Sequence, residues 1–171
     1  MLTLAATSAL LVASCAKNEM TIHSGNLKIE VNDQMLTLIS SDSSAKPLMK
    51  DFQPSEYIIA DGDTVSNFKL ESSSAEKIED FAGSGKSFSY TGKAESKNIP
   101  LTKILQVSVY ENFTGWAFYK VQYVNSGTKD VVVLKWVNHS YKVNSNNDTP
   151  DFWAFMASST GARKSWILPV K

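Results

Sequence analysis

A single cysteine, Cys15, excludes any disulfide within the chain. Two histidines, His23 and His139, are too few for a local zinc signature, which takes three or four His and Cys ligands. No metal and no cofactor is therefore expected. An excess of one charge is also missing: Lys and Arg number 17 against 17 Asp and Glu. A nucleic-acid binder carries a basic stripe or patch, so a nucleic-acid partner is not expected. No apolar run approaches the roughly 20 residues that a membrane-spanning helix needs. What is present is the composition of a folded domain, 43% hydrophobic and 11% aromatic in 171 residues. That length suits one domain, able to bury about two-thirds of its unfolded surface.

The amino-terminal end differs from the rest. Residues 1–16 contain no charge, and Leu2, Leu4, Leu10, Leu11 and Val12 form a short apolar stretch. It is too short to span a bilayer and matches the apolar region of a secretory signal. Val12-Ala13-Ser14-Cys15 resembles the lipobox of bacterial lipoproteins, in which the cysteine is acylated. The expected organisation is a signal peptide over 1–14, an anchor and linker over 15–24 with Cys15 lipidated, and a single domain over 25–171. This implies export across the inner membrane of a bacterium and lipid anchoring, in the periplasm or at the cell surface. Membrane contact is expected through the anchor only. No Lys or Arg precedes the apolar stretch, and the chain stops at Lys171 directly after Trp166-Ile167-Leu168-Pro169-Val170. Both features lead to the expectation of a fragment of a longer reading frame.

Beyond residue 20 the pattern is that of strands. Leu27, Ile29 and Val31 alternate with Lys28 and Glu30, and Asn32-Asp33-Gln34 separates them from residues 35–39 as in a hairpin. Asp61-Gly62 is a favoured tight-turn pair between strands over 56–60 and 64–71. Gly83-Ser84-Gly85-Lys86 separates strands over 77–82 and 87–94, which predicts a hairpin tip at those four residues. Leu105, Val107 and Val109 share one face of a strand over 103–110. Longer strands are expected over 116–124 and 131–143, and a polar loop over 144–150 precedes Phe152. Nine or ten short strands or more, with turn signals about every ten residues, predict an all-β antiparallel sandwich.

Catalytic patterns are weak. Gly83-Ser84-Gly85-Lys86-Ser87 lacks the earlier glycine of a phosphate-binding loop, with Asp80 in that place, and a strand rather than a helix follows it. His139 is expected to pair with a polar group of a neighbouring strand. Asp51, Glu56, Asp61, Asp63, Glu111 and Asp151 lie mostly at turns, where acids serve the backbone. No nucleophile elbow occurs.

The aromatic residues are uneven, with all four Trp at or beyond residue 116. Ala117, Tyr119, Val121 and Tyr123 share one strand face and read as core. Trp116 and Phe118 share the other with Lys120 and Gln122, and are either covered by another domain or exposed as a platform for sugar rings.

A succession of segments carries a family resemblance. It runs Leu101-Thr102-Lys103-Ile104-Leu105-Gln106-Val107-Ser108-Val109-Tyr110, then Glu111-Asn112-Phe113-Thr114-Gly115-Trp116-Ala117, then Val121-Gln122-Tyr123-Val124-Asn125-Ser126-Gly127. It closes on Asp151-Phe152-Trp153-Ala154-Phe155-Met156 and on Trp166-Ile167-Leu168. Together they resemble the amino-terminal β-sandwich of raffinose- and melibiose-type α-galactosidases, glycoside hydrolase family 36, in secreted enzymes of gut-type Bacteroidetes. The resemblance implies a non-catalytic sandwich that supports a catalytic (β/α)₈ barrel of the same parent chain. Such a barrel takes about 250 residues, so none of its catalytic residues is expected in this chain. The parent would be a retaining hydrolase of α-galactosides, possible as a homo-oligomer. Phe152, Trp153, Arg163, Trp166 and Trp116 are the implied contacts to carbohydrate or to the barrel. The alternative is a free-standing surface lipoprotein that binds an α-galactoside or another oligosaccharide.

Overall fold

The computed structural model describes residues 21–42, 48–96 and 99–143, with the backbone of two further short strands. The signal segment with Cys15, together with Pro47, Phe152, Arg163 and Trp166, lies outside the described residues. Twelve strands are present among the described residues, and no helix. They are β1 (Thr21–Ser24), β2 (Leu27–Val31), β3 (Thr37–Ser41), β4 (Tyr57–Ala60), β5 (Asp63–Val65) and β6 (Phe68–Asp80). There follow β7 (Gly83–Ala94), β8 (Leu101–Tyr110), β9 (Phe118–Asn125), β10 (Val133–Val137), β11 (Trp153–Phe155) and β12 (Ile167–Pro169). Every pairing is antiparallel. The all-β antiparallel class expected from the alternation is the observed one.

Four strands in the order β6-β7-β8-β9 make the largest sheet, and β1-β2-β3 and β10-β4-β5 make two smaller ones. One core joins all three. Strand β8 alternates buried and half-buried along its whole length, with Leu101, Leu105, Val107 and Val109 inward. Phe68 and Tyr90 join them from β6 and β7, facing Ile22, Ile29 and Val31 of the first small sheet and Ile58, Ala60 and Val65 of the second. Each such side chain contributes about 1.5–3 kcal/mol by leaving water. A sheet with one filled face against other sheets is the sandwich arrangement.

Turn chemistry sets the register. Asn32 Oδ1 accepts the N–H groups of Gln34 and Leu36 at 3.0 and 2.9 Å, and this closes the β2–β3 hairpin. Asp61 (φ 50°) and Gly62 (φ 88°) both take positive φ, the geometry of the tight turn that their sequence predicts. Asp61 also fixes the approach of β10: its N–H donates to the Val132 carbonyl at 2.9 Å, and its Oδ1 accepts the Val132 N–H at 2.9 Å.

Three expectations need correction. The strand expected over 64–71 is broken at Ser66-Asn67, because β5 and β6 belong to different sheets. The strand expected over 131–143 is regular only in β10, which carries a bulge between Val133 and Lys135 and pairs with β4. Past it, His139 at φ 53° turns the chain out of the extended conformation. The hairpin tip expected at Gly83-Ser84-Gly85-Lys86 is instead Phe81-Ala82, with Asp80 paired to Gly83. Asp80 Oδ1 accepts the Ala82 N–H at 2.8 Å, so an aspartate turn outcompetes the glycines. The glycine at position 85 has a different use, described below.

Candidate functional site

Of the five expected contact residues, only Trp116 has a described side chain. It is 66% exposed. Trp153 is placed by its backbone alone, in β11 opposite Pro169, and Phe152, Arg163 and Trp166 lie outside the described residues. The parity read for β9 holds: Ala117, Tyr119, Val121 and Tyr123 pack on the core, and Phe118 is exposed.

The outer face of the four-stranded sheet follows from its register. One row across the strands is Glu76, Ser87, Ser108 and Phe118. The next is Ser74, Ser89, Gln106 and Lys120, and the third is Ser72, Thr91, Ile104 and Gln122. Gln106 Nε2 donates to Ser87 Oγ at 2.7 Å, and Ser108 Oγ donates to the same oxygen at 3.3 Å. These bonds fix the plane of the Gln106 amide.

Aromatic rings close one end of this face. Tyr110 and Phe118 have centroids 5.5 Å apart, Phe113 and Phe118 5.6 Å, and Tyr110 and Phe113 6.4 Å, all edge to face. Tyr110 pairs with Gly85, and a Cβ there would meet the Val109 carbonyl and, at 3.0 Å, the Tyr110 ring. The missing side chain leaves the tyrosine room to cross the strand, and its hydroxyl donates to Asp80 Oδ2 at 2.8 Å. That hydrogen bond is the main cause of a raised Tyr110 pKa. Phe113 and Phe118 remain 40% and 42% exposed around this pinned ring.

A second exposed patch is aliphatic. Val132, Val133 and Leu134 are half or more exposed, and Trp136 is 49% exposed. Trp136 still has an anchor, since its ring meets Tyr123 edge-on at 5.0 Å and its Nε1 donates to Asn138 Oδ1 at 2.9 Å.

Sequence reasoning missed a buried ionic cluster beneath β10. Lys103 and Glu56 are both fully buried. Lys103 Nζ donates to the Glu56 backbone carbonyl at 2.8 Å and lies 3.9 Å from its carboxylate and 5.5 Å from the Phe68 ring centroid. Ser55 Oγ donates to Glu56 Oε2 at 2.7 Å, and the Tyr141 hydroxyl reaches Oε1 at 3.5 Å. Burial pushes the Lys103 ammonium down to about 8, with the Glu56 charge pulling the other way. Tyr119, Tyr123 and Tyr141 are all raised, chiefly by burial. His139 pairs with Tyr141 at 2.9 Å, two residues along its own segment rather than on the neighbouring strand expected for it, and meets the Tyr119 ring of β9 edge-on at 5.0 Å. Solvent does not reach the pair, so its role is to tie the segment before β4 to β8. The signal for Lys103 was present: it shares the parity of Leu105 and Val107. Nothing local marked Glu56 as its partner.

An open groove of about 610 Å³ runs between β1 and the outer half of the β6–β7 hairpin, lined by His23, Lys77, Glu79, Lys86, Glu111 and Thr114 among others. Its charges are of both signs. Among the described residues no three His, Cys, Asp or Glu side chains converge as a metal site requires. No family model matches the chain, and neither a curated protein nor a solved structure matches it.

Proposed function

We propose that the chain is the non-catalytic β-sandwich of a secreted, lipid-anchored, α-galactosidase-like glycoside hydrolase, and that it supports a catalytic barrel of the same parent protein. The observation that carries this reading is the aliphatic patch of β10, Val132 to Leu134 with Trp136, exposed beside a core that is already filled. A contiguous apolar patch of this kind suits a permanent domain neighbour. Two segments of the family-like succession, Leu101 to Tyr110 and Val121 to Asn125, lie on β8 and β9, strands that contribute to the same core. Sequencing the coding DNA past the codon for Lys171 tests the reading. A frame continuing for several hundred codons with alternating strand and helix patterns is expected, together with no release of nitrophenol from an α-galactoside by residues 15–171 alone. A stop codon there, or genuine hydrolysis by this chain, overturns it.

A second reading, a free-standing glycan-binding lipoprotein, is favoured by a separate observation: Phe118 is exposed on the outer face of the large sheet, with Phe113 packed edge to face against it and Trp116 exposed in the loop between β8 and β9. Both readings place acylated Cys15 in a bacterial membrane. A Cys15→Ala chain is then expected in the soluble fraction, and its retention in membranes would remove the anchor.

A further inference from the structure

We propose that the outer face of the β6-β7-β8-β9 sheet, together with the β8–β9 loop at its end, binds a neutral oligosaccharide, stacking its ring faces on Phe118 of the sheet and on Phe113 and Trp116 of the loop and meeting its hydroxyls with Gln106, Ser108 and Gln122. This deepens the glycan-binding reading and rests on it. The charge pattern carries the choice of ligand. On the two central strands the outward positions are Gly85, Ser87, Ser89, Thr91 and Lys93 of β7 and Thr102, Ile104, Gln106, Ser108 and Tyr110 of β8; of these only Lys93 carries a charge, and it lies at the end away from the aromatic rings, paired with Glu71 at 2.9 Å. Glu76 and Lys120 flank this floor with opposite signs. An anionic polymer would need a surplus of cations here, and an aliphatic protein surface would need the side chains that β10 carries instead.

A sugar presents both halves of what the face offers. Its C–H faces are apolar enough to lie on aromatic rings, and its hydroxyls both donate and accept. The three rows of outward side chains extend about 14 Å along the strands, the rise of four residues, enough for a short oligosaccharide. The site is also prepared in advance. Tyr110 is held by Asp80, Phe113 and Phe118 are held by Tyr110, and the Gln106 amide is held by Ser87. Little side-chain freedom is then lost on binding, which favours affinity in a shallow site.

The test is calorimetric titration of residues 15–171 with raffinose, stachyose and cellotetraose, and with oligogalacturonate as the charged counterpart. Saturable binding of at least one neutral probe is expected, with oligogalacturonate weaker. Trp116→Ala and Phe118→Ala are each expected to weaken it about tenfold, the size of one lost stacking contact. Gln106→Ala is expected to weaken it severalfold, and Trp136→Ala, on the opposite patch, to leave it unchanged. Thermal melts show whether each variant is folded, and the exposed Trp116 keeps the test open if Phe118→Ala is not. Binding that survives Trp116→Ala and Gln106→Ala overturns this face and leaves glycan binding elsewhere on the chain. Stronger binding of oligogalacturonate overturns the neutral ligand. No binding of any probe removes both this inference and the glycan-binding reading.

Discussion

The two faces of the large sheet share their strands and their hydrogen-bond ladder but have opposite relations to water. Inward, Tyr90, Leu105 and Val107 are fully buried, and even Lys103 is. Outward, the same strands carry serines, threonines and glutamines that stay half-buried or exposed, Ser87 excepted. A strand sends alternate side chains to opposite sides, so one register determines both surfaces at once. The inner face commits its residues to stability. The outer face is free to vary, and chemistry placed there is available to a ligand.

The sharpest way to break this contrast is at Lys103. Lys103→Ala leaves the Glu56 carboxylate buried without its cation and is expected to cost about 3–5 kcal/mol in urea unfolding. Lys103→Met combined with Glu56→Gln removes both charges and is expected to recover most of that loss. A loss that stays complete in the double variant would show that packing, not charge, is at stake. Next in size, Leu105→Ala is expected to cost about 2–5 kcal/mol through the cavity it leaves. Its sequence neighbour on the outer face, Gln106→Ala, is expected to stay within about 0.5 kcal/mol. Equal losses at 105 and 106 would mean that the outer face is covered.

Gly62→Ala, in a turn with open space around it, is expected to cost about 1–2 kcal/mol from its positive φ alone. A further effect is a dependence on pH. The unfolded chain holds the Lys103 proton up to the ordinary value of 10.5, whereas the folded chain releases it near 8. Between those values the unfolded state binds more protons, so stability should rise with pH from about 8. The buried tyrosines oppose this at higher pH. Tyr90, raised to about 12, holds its proton when folded past the unfolded value of 10, so its contribution is lost as pH climbs through that range. Denaturation midpoints across pH 7–10 would show the rise, and its persistence in the Lys103→Met, Glu56→Gln variant would assign it to another group.

Much of the fold was legible because its signals are local. The alternation from Leu101 to Tyr110 needs no partner to declare a half-buried strand, and the parity from Trp116 to Tyr123 separated core from surface. Asp61-Gly62 declared its turn because only a few residues tolerate two positive φ values in succession. The β6–β7 tip was misplaced because the glycines at 83 and 85 gave a stronger turn signal than Phe81-Ala82. Gly85 answers to the ring of Tyr110, 25 positions away in sequence, and no local rule shows that. For the candidate face, the exposed alternation of Trp116 and Phe118 was readable, but the Ser and Gln rows were not. They exist only once four strands are set side by side.

From sequence alone come the all-β class, most strand positions and the inward or outward sense of each residue in β8 and β9. The physical reason is that period two is a property of a single extended chain. Tertiary structure alone decided that Lys103 meets Glu56, that β10 joins β4, and that Ser87, Gln106 and Phe118 share one face of one sheet. Those facts depend on which strands become neighbours, and that choice is made by the packing of whole faces against one another.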